Sequence, residues 1–168
     1  MIPDFEGQPS SRVLVRFGDC DPLGHLNNSR YLDYFINARE DHVREHYGLS
    51  LREYYLQGFS WVIAQTNISY LRSANVGEWI QIQSAIRHFT HDELWVEMVM
   101  WSEDFNQLKA VLWSKLVHVE IKAGKRAPHS AQMIDNLLSQ AVRPIFNPYE
   151  ITFENRVAEI IRQIKSRS

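Results

Sequence analysis

Four long apolar runs, following one another with only short polar breaks, limit what this chain can become. They are residues 59–71, 79–89, 94–101 and 111–121, all rich in β-branched and aromatic side chains. Residues 79–89 alternate through Ile80, Ile82 and Ile86. In 94–101, Leu94, Val96, Met98 and Met100 alternate with Trp95, Glu97, Val99 and Trp101. A period of two is the mark of strands. The breaks are 72–78 around Gly77, 90–92 and 103–107. Links this short join antiparallel neighbours. The four strands are therefore expected to form a meander in chain order.

Upstream, residues 12–17 also alternate, which predicts a strand with Val13, Val15 and Phe17 inward. Residues 18–24 hold Gly18, Asp19, Asp21, Pro22 and Gly24 and predict a loop. Asn27 or Asn28 can then cap a helix over 29–47. Its apolar side carries Leu32, Phe35, Ile36, Ala38 and Val43, while Asp33, Arg39, Glu40 and Arg44 fall largely elsewhere. Gly48 stands where a left-handed C′ residue belongs, and 51–56 predicts a short second helix. A strand, one long helix and four strands make an α+β layer arrangement, an antiparallel sheet with a helix on one face.

The last part of the chain is less regular. Residues 122–128 predict a turn, and 130–140 and 149–165 predict helices. The second carries Phe153, Val157, Ile160, Ile161 and Ile164 on one stripe. We assign residues 1–128 to one domain. Residues 129–168 form a helical C-terminal extension, expected to pack on that domain or on a partner subunit.

Other classes are excluded by composition. A chain of 168 residues has room for one sizeable core. Its net charge of −2 provides no global positive field for nucleic acid. No apolar stretch approaches the ~18 residues of a membrane span. The acidic segment 1–6 lacks the apolar centre of a signal peptide. The single cysteine, Cys20, leaves no intrachain disulfide and no multi-cysteine metal site. The expectation is a cytoplasmic protein with no membrane, metal or cofactor partner. Its 12% of aromatic residues suit a pocket or a subunit interface as well as a core.

The densest chemistry lies in residues 17–32. Two carboxylates, Asp19 and Asp21, precede a helix start whose free backbone N–H groups carry partial positive charge. A carboxylate beside a site that stabilises an oxyanion is what attack on a carbonyl needs. The same aspartates could equally do no more than shape the turn.

Phe17-Gly18-Asp19-Cys20-Asp21-Pro22, followed by Gly24, His25, Asn27, Asn28 and Tyr31-Leu32, resembles the opening motif of the hot-dog-fold acyl-CoA thioesterases of the 4-hydroxybenzoyl-CoA thioesterase type. The likeness extends through Ile68-Ser69-Tyr70-Leu71-Arg72 and Gly77-Glu78 and covers roughly residues 10–123. It implies a curved antiparallel sheet wrapped around one long central helix. It implies hydrolysis of a fatty or aromatic acyl-CoA to free acid and CoA. Asp21 is then the nucleophile or general base, the backbone N–H of Asn28 the oxyanion donor, and the assembly a homodimer or homotetramer with sites between subunits.

Other residues are weighed beside these. His25 is a candidate for polarising a group or positioning Asp21. Tyr31 and Trp61 are candidates for the acyl pocket, and Arg72 for a CoA phosphate. Asp19 reads as a loop anchor through backbone N–H groups. Cys20, between two aspartates, is disfavoured as a thiolate. His42 and His46 read as a solvated helix face, and Lys122, Lys125 and Arg126 as a solvated basic turn. Two alternatives remain. One is a hot-dog enoyl-CoA hydratase or dehydratase, which Gly24-His25 loosely fits. The other is a non-catalytic acyl-CoA-binding protein on the same fold.

Overall fold

The structure is a computed structural model and describes residues 2–166. Strand β1 (Ser10–Leu14) leads through a loop to helix α1 (Tyr31–Tyr47) and a short helix α2 (Leu51–Leu56). Strands β2 (Phe59–Tyr70), β3 (Trp79–Phe89), β4 (Glu93–Ser102) and β5 (Leu108–Glu120) follow, then a two-residue strand β6 (Lys125–Arg126). Residues 131–141 are helical with a π-helical stretch at Ile134–Leu138, and a last helix spans Phe153–Lys165.

The helix limits follow from local chemistry. The Asn27 side chain accepts the Ser29 N–H, opening a 3₁₀ turn (Asn28–Arg30) that runs into α1. At the other end Gly48 adopts a φ of 63°, and its N–H and that of Leu49 both reach the Val43 carbonyl. Left-handed backbone there suits glycine.

The sheet is antiparallel, in the order β1-β3-β4-β5-β2, with β6 beside β5. The meander holds for β3, β4 and β5 but not for β2, which pairs along β5 from Phe59↔Glu120 to Tyr70↔Ala110. β1 occupies the free side of β3 instead. Between β2 and β3 lie two other strands, so the link crosses three spacings, ~14 Å. Residues 71–78 span that easily at up to ~3.3 Å each. A connector long enough to cross need not turn back.

β1 is also shorter than expected. The Val15 N–H still reaches the Glu78 carbonyl, and Val15 is buried. Beyond it the chain tightens into a 3₁₀ turn at Phe17–Asp19, leaving Phe17 85% exposed rather than inward. The Gly18-Asp19 turn ends the alternation one step before Phe17.

Both faces of the central strands are covered. On one face α1 places Phe35 and Ala38 against Ile82, Ile86, Met98 and Leu112, and Met133 and Leu138 join the same cluster. On the other face Ile2, Phe5, Val157 and Ile160 pack on Val99, Trp101 and Val111. Glu97 points into this second layer. It bonds Arg87 at 2.7 Å, Arg156 at 2.8 Å and the Trp113 indole at 3.1 Å. Arg156 also reaches Asp4 at 2.8 Å, tying the last helix to the N-terminal segment. The fold is thus α+β, a curled antiparallel sheet around one long helix, the hot-dog architecture, with a helical C-terminal segment.

Candidate active site

The loop before α1 is held from several sides. The Asp21 N–H donates to the His25 carbonyl at 2.8 Å, and the Gly24 N–H to the Asp21 carbonyl at 3.0 Å. Asp21 Oδ1 accepts the backbone N–H of Leu23 at 2.9 Å and of His25 at 3.1 Å, an Asx-type turn. Gly24 sits at a φ of 77°. The loop is then zipped to residues 74–76, Leu26 N–H to the Ala74 carbonyl at 2.8 Å and Val76 N–H to the Gly24 carbonyl at 2.9 Å.

Asp19 anchors the loop, though not through backbone amides. Its Oδ2 accepts the Tyr34 hydroxyl at 2.9 Å, and Tyr34 accepts the Arg16 N–H at 2.9 Å. The Asp19 carbonyl takes the Asn27 N–H at 2.9 Å. Burial raises the Cys20 thiol above its ordinary pKa, and Asp19 and Asp21 raise it further.

Two groups in this loop keep unused capacity. Asp21 Oδ2 accepts no hydrogen bond from the described residues, and the Asn28 N–H donates to none of them. The Asn28 carbonyl is taken by the Tyr70 hydroxyl at 3.1 Å. A free carboxylate oxygen and a free helix-start amide on one braced loop can serve attack and oxyanion stabilisation.

The remaining candidates are not all brought together. Tyr31 is buried. Its hydroxyl accepts the Ala74 N–H at 3.2 Å, and its ring meets Tyr70 edge-on at 5.0 Å. It braces the loop from beneath. Arg72 lies two residues past β2, with its N–H on the Lys109 carbonyl and its side chain in no ion pair among the described residues. Trp61 lies elsewhere, stacked on Tyr54 at 4.6 Å with its indole N–H on His129 at 2.9 Å.

Trp61 lines an apolar pocket of ≈ 220 Å³ between α1 and the sheet, with Ile36, Val43, Val96, Leu116 and Leu138. Arg39 stands in its wall, whereas Asp21, Asn28, Tyr31 and Arg72 do not line it. Arg39 had been expected on the outer side of α1. A signal against that was present, since it lies four residues from both Phe35 and Val43, which are buried.

His42 corrects another expectation. It is 1% exposed, not solvated, with Nε2 2.9 Å from Ser11 Oγ and Nδ1 2.7 Å from Ser84 Oγ. Burial, then the nearby Arg39, lowers its pKa to about 4. The basic turn is exposed as expected, and its Arg126 also binds Asp92 at 2.7 Å and Glu93 at 2.6 Å. Among the described residues no group of three or more His, Cys, Asp or Glu side chains is arranged to hold a metal. Among them, too, no helix is long and apolar enough to cross a membrane.

The family model of the thioesterase-like superfamily matches residues 15–137. The chain belongs to that superfamily. This thioesterase-family chain is a thioester hydrolase by membership. Solved structures share its fold. The probable thioesterase YbaW of Escherichia coli aligns at TM-score 0.69 and 23% identity, over 80% of this chain and 98% of that one. Slr0204, a 1,4-dihydroxy-2-naphthoyl-CoA thioesterase of Synechocystis, aligns at 0.70 and 18%, over 79% and 96%. SAV2348 of Staphylococcus aureus, solved in complex with CoA, aligns at 0.73 and 14%, over 84% and 89%. No curated protein matches the chain.

Proposed function

We propose that the chain hydrolyses an acyl-CoA thioester, with Asp21 as nucleophile or general base and the Asn28 N–H as oxyanion donor. The observation that carries this is the pairing of a free Oδ2 with a free helix-start amide on one pinned loop. As nucleophile, Oδ2 forms a C–O bond to the acyl carbon and the C–S bond breaks. The thiolate takes a proton and leaves as CoA, and water then cleaves the acyl-aspartyl anhydride. As base, Oδ2 removes a proton from water as the water oxygen bonds to that carbon; the C–S bond then breaks and the proton passes to the leaving thiolate. Either route turns the thioester and water into a carboxylic acid and CoA, and either builds negative charge on the carbonyl oxygen that Asn28 faces.

His25 acts on the carboxylate's orientation through its backbone N–H on Oδ1. Arg72, in no ion pair among the described residues, meets a phosphate of CoA. The CoA complex of the structural neighbour SAV2348 supports this class of ligand. Trp61 contributes to the acyl pocket, and Tyr31 holds the loop. β2 is an edge strand with Val62 and Ile63 exposed, and an edge of that length is a pairing surface. This supports a homodimer through β2, or a tetramer of such dimers, with the active sites between subunits.

The test is thiol release from a panel of acyl-CoAs. Asp21→Asn keeps the shape of the side chain and should lower kcat by roughly 10²–10⁴, the range of general acid–base assistance. Activity that survives the substitution removes Asp21 from this role.

A further inference from the structure

The pocket between α1 and the sheet is lined mainly by apolar side chains, with Ser60 and Ser114 among them, and holds a cation that no carboxylate among the described residues neutralises. Arg39 is partly buried, whereas the fully buried cations among the described residues are all matched. Arg87 and Arg156 meet Glu97 at 2.7 and 2.8 Å, and Lys109 meets Glu78 at 2.8 Å. Arg39 is different. Its Nη1 donates to Ser84 Oγ at 3.1 Å, and its guanidinium lies 5.4 Å from the Tyr47 ring. Ser84 and Tyr47 are the groups among the described residues that favour its charge, and no carboxylate among them reaches it. A guanidinium does not give up its proton, and a charge held against apolar walls without a counter-ion is costly. Ser84 and Tyr47 leave several of its five N–H donors open, in the planar fork that fits a carboxylate.

We propose that Arg39 binds a carboxylate at the far end of the acyl group, making this a hydrolase for medium-length acyl-CoAs that carry a second, terminal carboxyl. The inference rests on the acyl-CoA reading above and adds the substrate class. The length requirement comes from the helix. Arg39 lies eight residues after Tyr31, ~12 Å further along the axis. A short acyl group whose carbonyl meets Asn28 cannot reach it. Ile36, Val43, Trp61 and Leu116 line the same pocket as Arg39, and methylenes placed there gain from leaving water.

Octanoyl-CoA and suberyl-CoA, of equal chain length and differing in the terminal carboxyl, test this. Thiol release is measured with wild type, and binding is measured calorimetrically with Asp21→Asn. Wild type should favour suberyl-CoA by about 10- to 100-fold in kcat/KM, the worth of a hydrogen bond to a charged group. Asp21→Asn should show the same preference in Kd. Arg39→Met should abolish the preference, and Arg39→Lys, which keeps the charge but not the fork, should retain part of it. The ratio of the two substrates is the readout, because a merely structural role would move both together. Equal treatment of the two CoA esters by wild type overturns the Arg39 assignment. So does an unchanged ratio in folded Arg39→Met, or in Arg39→Lys should the methionine variant not fold. A binding preference without thiol release keeps Arg39 and sinks the hydrolysis reading. Thiol release without a preference does the reverse, and no binding of either ester overturns both.

Discussion

Glu97→Gln should be the most damaging single-atom exchange in the second layer of the core, worse than removing the arginine it binds. Glu97, Arg87, Arg156 and Asp4 form a linked set of charges, with Glu159 at its exposed edge 3.2 Å from Arg156. Glu97 and the two arginines are almost wholly buried, while Asp4 is 17% exposed. Glutamine has the same shape but turns an N–H donor toward two guanidiniums that are themselves only donors. It leaves those cations with Asp4 and the more exposed Glu159, both on Arg156, and no carboxylate on Arg87. Stranding buried charge in this way costs about 3–5 kcal/mol. For a chain of this size each kcal/mol moves Tm by about 2–4 °C, so the midpoint should fall by roughly 6–20 °C. Arg156→Met is milder because Glu97 keeps Arg87 and the Trp113 indole, and Asp4 keeps Gln163. Its cost should be about 1.5–3 kcal/mol, the charged hydrogen bonds lost. Urea unfolding of both variants and of the double variant reads these values. The double variant should recover at least about 1 kcal/mol relative to additivity. A Glu97→Gln cost below about 1 kcal/mol, or a larger cost for Arg156→Met, refutes the charge-balance reasoning.

Two further outcomes follow from the same coordinates. His42 has its pKa lowered to about 4 against an ordinary 6.5. The unfolded chain therefore binds the proton more readily, so this contribution is full above about pH 6.5 and is lost as pH falls toward 4. Its size is at most about 3 kcal/mol. Denaturant titrations at pH 7.5 and 4.5 should show a smaller loss of stability in His42→Leu than in wild type, and equal losses would contradict the assignment. Gly24→Ala forces a side chain onto a φ of 77°, while the added Cβ meets only Val76 Cγ1 at an ordinary 3.7 Å. The cost is then conformational, about 1–2 kcal/mol. It should appear in thermal unfolding together with slower thiol release, because Asp21 closes the same turn; an unaffected variant would mean that the turn tolerates another backbone path.

The elements of this protein, and the loop that carries its candidate chemistry, were legible in its residues alone. Alternation marked β3 and β4, a long apolar run marked β5, a capping asparagine at 27 or 28 and Gly48 bounded α1, and the order of residues 17–32 identified the Asp21 loop. All of these are short-range properties, decided by side-chain period and by hydrogen bonds a few residues long. Strand order, by contrast, turned on which edge β2 could reach once β1 had taken the side of β3. His42 and Arg39 turned inward because of partners far along the chain, Ser84 among them. The second face of the sheet was closed by Arg156 meeting Glu97 and Asp4, residues 59 and 152 positions away. Contacts that distant leave no periodic trace in a sequence, so only the packed tertiary structure could decide them.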